Sequence, residues 1–355
     1  MLVIDRQIQE EDRQSLNSME SMVPQLDLTI NPEFLLKDSQ IVVNALFPEW
    51  SEDDLVLSVC TNGITNKLVK ATHKESQQVI LIRTYGRGSS VLINRPQEIL
   101  NIIALSEAGL CPPLYGRFNN GIVYGYVAGE VFSVKDMSDK HKSGLVAKTM
   151  AKWHNSLKDM NSKPGLFTTM WKWINSVPQT YSNSDKQKSF KASGFTLNQL
   201  REELLELQSH LEKLESPVVF CHNDLLSGNL IYDPERDTCA FIDYEYGCPN
   251  YRAFDIGNHF CEFGGFDCDW TKYPDETFQK AWLKEYLSAK GEGVVSDAKL
   301  DAIYREVLAF SLAAHFFWSL WALIQAEISD IDFDYIEYAV MRLQEYYRKK
   351  DEWLM

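Results

Sequence analysis

The chain has 355 residues, of which 45% are hydrophobic and 12% aromatic, and its formal net charge is −15. This composition is sufficient for a full globular core or for two lobes. Because a negative protein repels polyanions, we expect neither nucleic acid nor an anionic membrane as a main partner, whereas a cationic ligand is compatible with this charge. The seven cysteines form no CxxC pair and predict reduced thiols in a cytoplasmic protein.

The sequence gives no sign of export or of membrane insertion. Its first residues, MLVIDRQIQEEDRQ, lack the basic start and apolar core of a secretory signal. The most apolar run, HFFWSLWALI at 315–324, is shorter than the ~20 residues of a membrane span and predicts a buried helix. We therefore expect no stable membrane insertion.

Taken in chain order, the predicted elements fall into three regions. Residues 1–28 are polar and acidic with little periodicity and predict a flexible N-terminal arm. Residues 29–130 predict a small mixed lobe, with three successive strands, a helix over RPQEILNIIALSEAGL and a hairpin around an asparagine–glycine turn. Residues 131–355 are mostly helical by apolar spacing, with short strands at VVF, NLIYD and CAFID. The predicted class is α+β, with a β-rich N-terminal lobe and a larger helical C-terminal lobe.

One polar segment, CHNDLLSGNLIYDPERDTCAFIDYEYG at 221–247, points to chemistry, because such residues are costly to bury. A hairpin within it would bring Asp224, Asn229 and Asp243 together. In kinases, a loop aspartate accepts the proton of the attacking hydroxyl, an asparagine after four intervening residues binds Mg²⁺, and a later aspartate binds Mg²⁺ too. The spacing predicts Asp224 as the catalytic base and Asn229 and Asp243 as ligands of Mg²⁺.

Kinases also use a basic strand residue on the phosphates of ATP and a helix glutamate that holds it. Arg83, in VILIRTY, and Glu98, in the following helix, occupy those positions. Taken singly, Arg83 is more typical of a strand surface, and Glu98 is more typical of a solvated helix face. The whole set in this order predicts a two-lobed, protein-kinase-like fold. An alternative is a zinc site, although its spacing is unusual, formed by Cys221, His222, His259 and Cys261.

The sequence resembles the choline/ethanolamine kinase family over about residues 50–350. The segments that carry the resemblance are TNGITNKL, VILIRTYG, FCHNDLLSGNLIYD, FIDYEYGCPNYRAFDIGNHFCEF and HFFWSLWALIQA. Leu225-Leu226 stands where the choline branch tends to carry Cys-Gln, and together with FDYIEYA it is more similar to the ethanolamine branch. The resemblance implies a fold similar to aminoglycoside phosphotransferases, ATP-dependent phosphorylation of ethanolamine as the first step of phosphatidylethanolamine synthesis by the CDP-ethanolamine route, and a homodimer.

Carried over residue by residue, the resemblance assigns the same roles to the catalytic and metal-binding residues and pairs Arg83 with Glu98 as a phosphate clamp. It also implies a flap over the phosphates of ATP, formed by Asn62, Gly63, Thr65 and Asn66. Two departures bear on nucleotide affinity. Related enzymes often have aspartate at position 62 and an acidic residue where Gly125 stands.

A small amino alcohol presents an ammonium group, which binds to aromatic faces and to a carboxylate. Trp318 and Trp321 lie three residues apart on one predicted helix, as do Tyr335 and Tyr338 on the next, although such pairs are also typical of a core. Together with the resemblance, they predict a substrate site that comprises Asp224, Tyr244, Glu262, Trp318, Trp321, Tyr335 and Tyr338.

Four further polar residues are predicted to support the site: His222, Glu245, Asp255 and His259. Of these, Asp255 is expected to hold the catalytic loop, the polar loop with His222, Asp224 and Asn229, from the beginning of a helix. Three other functions are compatible with the sequence: a choline kinase, a catalytically silent nucleotide-binding pseudokinase, and a phosphotransferase for a larger aminoglycoside-like substrate.

Overall fold

The computed structural model describes residues 23–60, 66–86, 88–157 and 163–354. The chain divides into two compact units. The first comprises the described residues up to Ser90 together with Asn94–Val127, and the second comprises Val91–Ile93 and the chain from Ala128 onwards. The change of unit at Ala128 lies close to the boundary expected after residue 130.

A six-stranded sheet in the order β1-β5-β6-β4-β3-β2 forms the first unit. β1 pairs with β5 in parallel, and the other neighbours are antiparallel. The three successive strands and the hairpin predicted from the sequence are confirmed as part of this sheet. Its strands are β1 (Gln25–Leu26), β2 (Leu55–Cys60), β3 (Lys67–His73), β4 (Val79–Thr84), β5 (Leu114–Phe118) and β6 (Gly121–Gly125).

The end of the predicted N-terminal arm belongs to this sheet. Gln25 pairs with Arg117 and Leu26 with Phe118, and the Arg117 backbone N–H donates to Pro24 O over 2.8 Å. The predicted boundary at residue 28 is therefore wrong, because a two-residue strand is too short to show an alternating pattern. Residues 1–22 lie outside the described residues.

Two helices complete the first unit, α1 (Leu35–Leu46) and α2 (Arg95–Glu107). α1 was not predicted, and it packs Val42 and Val43 against the core of the sheet. α2 confirms the predicted helix. It begins after Asn94, whose side chain accepts a hydrogen bond from the Gln97 backbone N–H.

The second unit is mainly helical and contains two small sheets. This composition confirms the predicted α+β class with a larger helical C-terminal part. One sheet has the order β10-β9-β7, with β7 (Glu130–Val131), β9 (Leu230–Asp233) and β10 (Thr238–Phe241), and the other pairs β8 (Val218–Cys221) with β11 (Cys248–Tyr251). Its helices are α3 (Val134–Met137), α4 (Lys140–Ser156), α5 (Leu166–Ser176), α6 (Ser184–Ala192), α7 (Leu197–Leu211), α8 (Arg252–Cys261), α9 (Glu276–Lys290), α10 (Asp297–Ile328) and α11 (Tyr335–Trp353).

The longest of these helices, α10, contains the apolar run 315–324 that was predicted to be a buried helix. Its length and composition would be sufficient to cross a membrane, but 94% of its most apolar stretch is buried inside the protein. A helix that is apolar on all sides and covered by protein is typical of a core. α10 is longer than the run because its first turns are polar, beginning at the cap residue Ser296.

Candidate active site

The hairpin of β9 and β10 brings together the two ends of the polar segment 221–247. Leu230 pairs with Phe241, and the Ile242 backbone N–H donates to Asn229 O over 3.0 Å. Asn229 directly precedes β9, and Asp243 follows soon after β10. The two predicted metal ligands therefore lie at the same end of the hairpin.

Asp224 is buried beside Asn229, whose Nδ2 donates to its backbone O over 2.8 Å and to its Oδ2 over 3.0 Å. Burial raises the pKa of Asp224 well above its ordinary value, and the carboxylates of Asp243, Glu262 and Glu245 raise it further, against the hydrogen bond from Asn229. Like charges close together disfavour ionisation. This group of carboxylates is therefore suited to a cation, either a metal ion or an ammonium group.

The backbone of the loop that carries Asp224 is held by Asp255, in the first turn of α8. Its Oδ2 accepts from the His222 backbone N–H over 2.9 Å and its Oδ1 from that of Asn223 over 2.7 Å. Burial acts to raise the pKa of Asp255, but the hydrogen bond from His154 and those from the loop keep it below its ordinary value. An ionised Asp255 therefore fixes the residues immediately before Asp224.

Two buried histidines bind carbonyl groups on either side of the same loop. His222 Nε2 lies 3.0 Å from Ile242 O, and His259 Nδ1 lies 2.9 Å from Leu225 O. Burial lowers the pKa of each imidazole to about 4. Both rings are therefore neutral at pH 7, and each donates its one N–H to a carbonyl oxygen.

Asn223 is a site residue that the sequence reasoning missed. Its φ of 66° lies in the left-handed region, which asparagine tolerates better than most residues. Its Nδ2 donates to Tyr246 O over 2.9 Å, and its Oδ1 accepts from Asn250 Nδ2 over 2.8 Å. A signal was available, since an Asn-Asp pair is typical of a tight turn.

The predicted aromatic residues lie together where α10 faces α11. The ring of Trp321 is 5.7 Å from that of Trp318, 5.6 Å from that of Tyr335 and 6.5 Å from that of Tyr338, measured between centroids. Helical spacing predicted that the members of each pair share a face, and only together with the resemblance did it predict that the four rings form one site. Besides Phe317, the helix neighbour of Trp318, three rings from loops also contact them, and the sequence reasoning missed these three. The aromatic cluster consists of Tyr246, Phe266, Trp318, Trp321, Phe333, Tyr335 and Tyr338.

Tyr244, predicted to bind substrate, lies in the hydrophobic core. The Tyr244 ring stacks on Trp153 at 5.8 Å, and its hydroxyl donates to Phe241 O over 2.9 Å. Tyr246, two residues later, accepts from Trp321 Nε1 over 2.9 Å and lies 5.4 Å from the ring of Trp318. Tyr246 is therefore the tyrosine of this loop that belongs to the aromatic cluster. Its orientation could not be predicted, since the loop has no regular period.

Glu262 is bound to an arginine that the sequence reasoning also missed. Arg342 Nη2 lies 2.5 Å from Glu262 Oε1, and Nε and Nη2 of this fully buried arginine donate to the Tyr338 hydroxyl over 3.0 and 2.7 Å. Burial acts to lower the pKa of Arg342, but Glu262 keeps it well above its ordinary value. Glu262 and Arg342 therefore form a buried ion pair next to the aromatic cluster.

In the first unit, β4 and α2 bring Arg83 and Glu98 together as a buried ion pair. Arg95, in the first turn of α2, also donates to Glu98 over 2.9 Å, and the Arg83 guanidinium lies 5.7 Å from the ring of Tyr124. Because both members of the pair are buried, Arg83 is not a strand-surface residue and Glu98 is not on a solvated helix face.

A family model described as choline/ethanolamine kinase matches residues 57–347. The chain belongs to the choline/ethanolamine kinase family. It is 38% identical over 342 residues to the probable ethanolamine kinase of Nematostella vectensis, covering 94% of this chain and 98% of that protein. It is 37% identical over 342 residues to ethanolamine kinase 1 of Homo sapiens, covering 93% of this chain and 76% of that protein.

Solved structures of the choline/ethanolamine kinase family share the fold. The structure of the Plasmodium vivax ethanolamine kinase has a TM-score of 0.81 with this chain at 29% identity, covering 89% of each. The choline kinase of Cryptosporidium parvum has a TM-score of 0.73 at 23% identity, covering 89% of this chain and 95% of that one. The second likeness shows the fold alone.

The zinc site considered from the sequence does not form. His222 and His259 bind backbone carbonyls, and Cys261 Sγ lies 3.6 Å from Ser311 O. Within the described residues, one other set of side chains is close enough to share a metal: His154, Cys221 and Asp255. His154 and Asp255 already hydrogen-bond to each other, and burial raises the pKa of the Cys221 thiol well above its ordinary value.

The predicted phosphate flap lies largely outside the described residues, which include neither Asn62 nor Gly63 nor Thr65. Asn66, at its end, is described, and its Oδ1 accepts from the Gly86 backbone N–H over 3.3 Å. This bond ties the end of the flap to the segment that follows β4.

Proposed function

We propose that this chain is an ethanolamine kinase, which transfers the terminal phosphoryl group of ATP to the hydroxyl of ethanolamine. The observation that carries this proposal is the link between two groups of side chains. Glu262 raises the pKa of Asp224, and it is also bound through Arg342 to Tyr338 of the aromatic cluster. In a small amino alcohol the hydroxyl and the ammonium group lie close together. Asp224 as general base and the aromatic cluster as ammonium site would bind these two groups. Curated relatives with this name, at 37–38% identity, support it.

The side chains around Asp224 fit a magnesium ion. Asn229 and Asp243 would hold it, because amide and carboxylate oxygens are the hard ligands that Mg²⁺ prefers. The clustered carboxylates that raise the pKa of Asp224 repel one another, and a cation would relieve that repulsion. When bound, Mg²⁺ would neutralise charge on the transferring phosphoryl group.

Asp224 would accept the proton of the ethanolamine hydroxyl. Burial and the neighbouring carboxylates raise its pKa, and a carboxylate with a raised pKa is a stronger base towards a hydroxyl proton. Asn229 donates a hydrogen bond to one of its carboxylate oxygens, Oδ2, and would thereby help to orient the side chain. Asp255, His222 and His259 would act indirectly, by holding the backbone of the loop in place.

We further propose that Arg83 binds the phosphates of ATP. Its pairing with Glu98 supports this role, because the carboxylate holds the guanidinium group in a defined orientation. Asn62, Gly63, Thr65 and Asn66 would cover the same phosphates as a flap. Glu245, which raises the pKa of Asp224, would support the metal site electrostatically.

The aromatic cluster would bind the ammonium group of the substrate. Cation–π contacts with Trp318, Trp321, Tyr335 and Tyr338 would be joined by the carboxylate of Glu262. A primary ammonium can donate hydrogen bonds to Glu262, whereas a quaternary ammonium cannot, and this favours ethanolamine over choline. The four rings are between 2% and 6% exposed, which fits a small substrate better than an aminoglycoside.

A cytoplasmic location is supported by the seven cysteines, which are all free thiols and all lie in the described part of the chain. In that compartment, phosphoethanolamine would enter phosphatidylethanolamine synthesis by the CDP-ethanolamine route. Two points stay predictions: the absence of stable membrane insertion and the homodimer.

The proposal is tested by measuring ADP release with Mg-ATP and, in separate wells, ethanolamine, choline or no amine. Turnover well above the no-amine rate with ethanolamine, and lower turnover with choline, is the expected result. Faster turnover with choline would make the protein a choline kinase with the same site. If the protein binds ATP but releases no ADP with either amine, the proposal is contradicted and the pseudokinase is favoured.

A further inference from the structure

Asn258, in α8, connects the aromatic cluster to the catalytic loop. Its Oδ1 accepts from Trp318 Nε1 over 2.7 Å, and its Nδ2 donates to the backbone O of Asn223 over 3.1 Å. The peptide carbonyl that it binds is bonded to the nitrogen of Asp224. One side chain therefore touches both the ring that would face the ammonium group and the peptide that carries the catalytic carboxylate.

The surroundings of Asn258 give this connection little freedom. Its side chain is fully buried, and Trp318 and Asn223 are each at least 94% buried. Asn223 is also fixed through its backbone N–H by Asp255 and has a left-handed φ of 66°. Since buried amide groups are costly to leave unpaired, a displacement of the Trp318 ring must be accommodated by Asn258 or transmitted to the loop.

We propose that Asn258 is a positioning residue that sets Asp224 at the correct distance from the aromatic cluster, so that an ammonium bound there has its hydroxyl at the carboxylate. This inference rests on the proposed function. The distance between ammonium and hydroxyl is fixed by two carbons in ethanolamine, and a small error in the position of the base is expected to slow proton transfer strongly. Asn258 itself touches neither the amine nor ATP in this scheme.

The first test is the kinetics of Asn258→Ala, with ethanolamine and Mg-ATP. We expect kcat to fall about tenfold to a hundredfold, the range for losing one buried hydrogen bond, while KM for ethanolamine and for ATP changes less than about threefold. An unchanged kcat, or an effect confined to KM, would overturn the inference. If the alanine variant does not fold, the same kinetics are measured with Asn258→Asp. This variant keeps the hydrogen-bond acceptor for Trp318 but loses the donor to Asn223, so kcat should again fall.

The second test is a double-mutant cycle. It measures whether Trp318 and Asn258 affect kcat through each other or independently. Trp318→Phe removes the indole N–H and leaves Asn258 Oδ1 without that donor, so its effect on kcat should nearly vanish in the Asn258→Ala background. Trp321→Phe is the matched control, because its N–H is donated to Tyr246. Its effect should be additive with Asn258→Ala within about twofold.

The two proposals fail in different ways. A wild-type protein with no amine-dependent ADP release would overturn the proposed function and this inference with it. An active wild-type protein whose Trp318 and Asn258 effects are fully additive would overturn this inference alone.

Discussion

Two buried charged groups in the second unit are arranged in opposite ways. Around Asp224, the carboxylates of Asp243, Glu245 and Glu262 disfavour its ionisation, so charges of the same sign are gathered. Around Arg342, a cation is matched to the carboxylate of Glu262 and to the Tyr338 hydroxyl. In the second group the two charges neutralise each other within the fold, whereas the first would be stabilised by a cation from outside.

This difference separates a structural use of charge from a functional one. Glu262 belongs to both groups, because it pairs with Arg342 and also raises the pKa of Asp224. The ion pair holds the Glu262 carboxylate in place, and it partly offsets the negative charge that Glu262 presents to Asp224. Groups that disfavour the folded state while serving chemistry are the expected trade-off at an active site.

Replacing Asp224 with alanine tests the functional group most directly, and we expect the largest effect from it. kcat for ethanolamine should fall about a hundredfold to ten-thousandfold, the contribution of a general base, while ATP still binds. ADP release and displacement of a fluorescent nucleotide measure the two quantities. Turnover close to that of the wild type would refute the role of Asp224.

Replacing Arg342 with methionine tests the structural group. The variant leaves Glu262 buried without its cation, and we expect it to lose about 3–5 kcal/mol of stability in urea unfolding. The matched control is the double variant Arg342→Met/Glu262→Leu, in which neither charge remains and most of the stability should return. If the double variant were as unstable as Arg342→Met, packing rather than charge would explain the loss.

Replacing Trp321 with alanine removes one face of the aromatic cluster. KM for ethanolamine should rise roughly 3- to 30-fold, in line with a cation–π contact, with a smaller change in kcat. Trp171→Ala is the control, because its indole N–H binds Gln208 and it should leave KM unchanged. Equal KM values for the Trp321 variant and the wild type would refute the ammonium site.

Replacing Asp224 with asparagine should stabilise the protein slightly while it removes turnover. A raised pKa means that the folded state binds the proton more tightly than the unfolded state, so wild-type stability falls as pH rises above the ordinary aspartate pKa. The variant does not lose this stability, and its melting temperature should exceed that of the wild type at pH 7 without Mg²⁺ or ATP, by about 1 °C for each kcal/mol of stability retained.

That gain should disappear as the pH is lowered towards the ordinary aspartate pKa, where Asp224 is protonated in both states. Asp233→Asn is the control, since hydrogen bonds from Arg236 lower the pKa of Asp233 and the substitution should bring no gain. A melting temperature for Asp224→Asn that is lower than the wild-type value at pH 7 would contradict the like-charge explanation.

Much of the site followed from patterns that the sequence displays locally. Asp224, Asn229 and Asp243 were placed together because two short apolar runs with a proline-containing turn predict a hairpin, and hairpin ends meet. Trp318 and Trp321, like Tyr335 and Tyr338, were predicted to share a face from the period of the helix alone. These signals are short-range, so they need no knowledge of the rest of the fold.

The sequence by itself determined the α+β class, most of the strands, the kinase-like spacing of the catalytic loop and the four helical aromatic residues. Only the tertiary structure decided that Tyr246 rather than Tyr244 joins the aromatic cluster, that Arg342 neutralises Glu262, and that Asn258 connects Trp318 to Asn223. Each of these contacts joins residues distant in sequence or depends on an irregular loop. Partners of that kind leave no periodic trace in a single sequence, because burial and packing between elements select them.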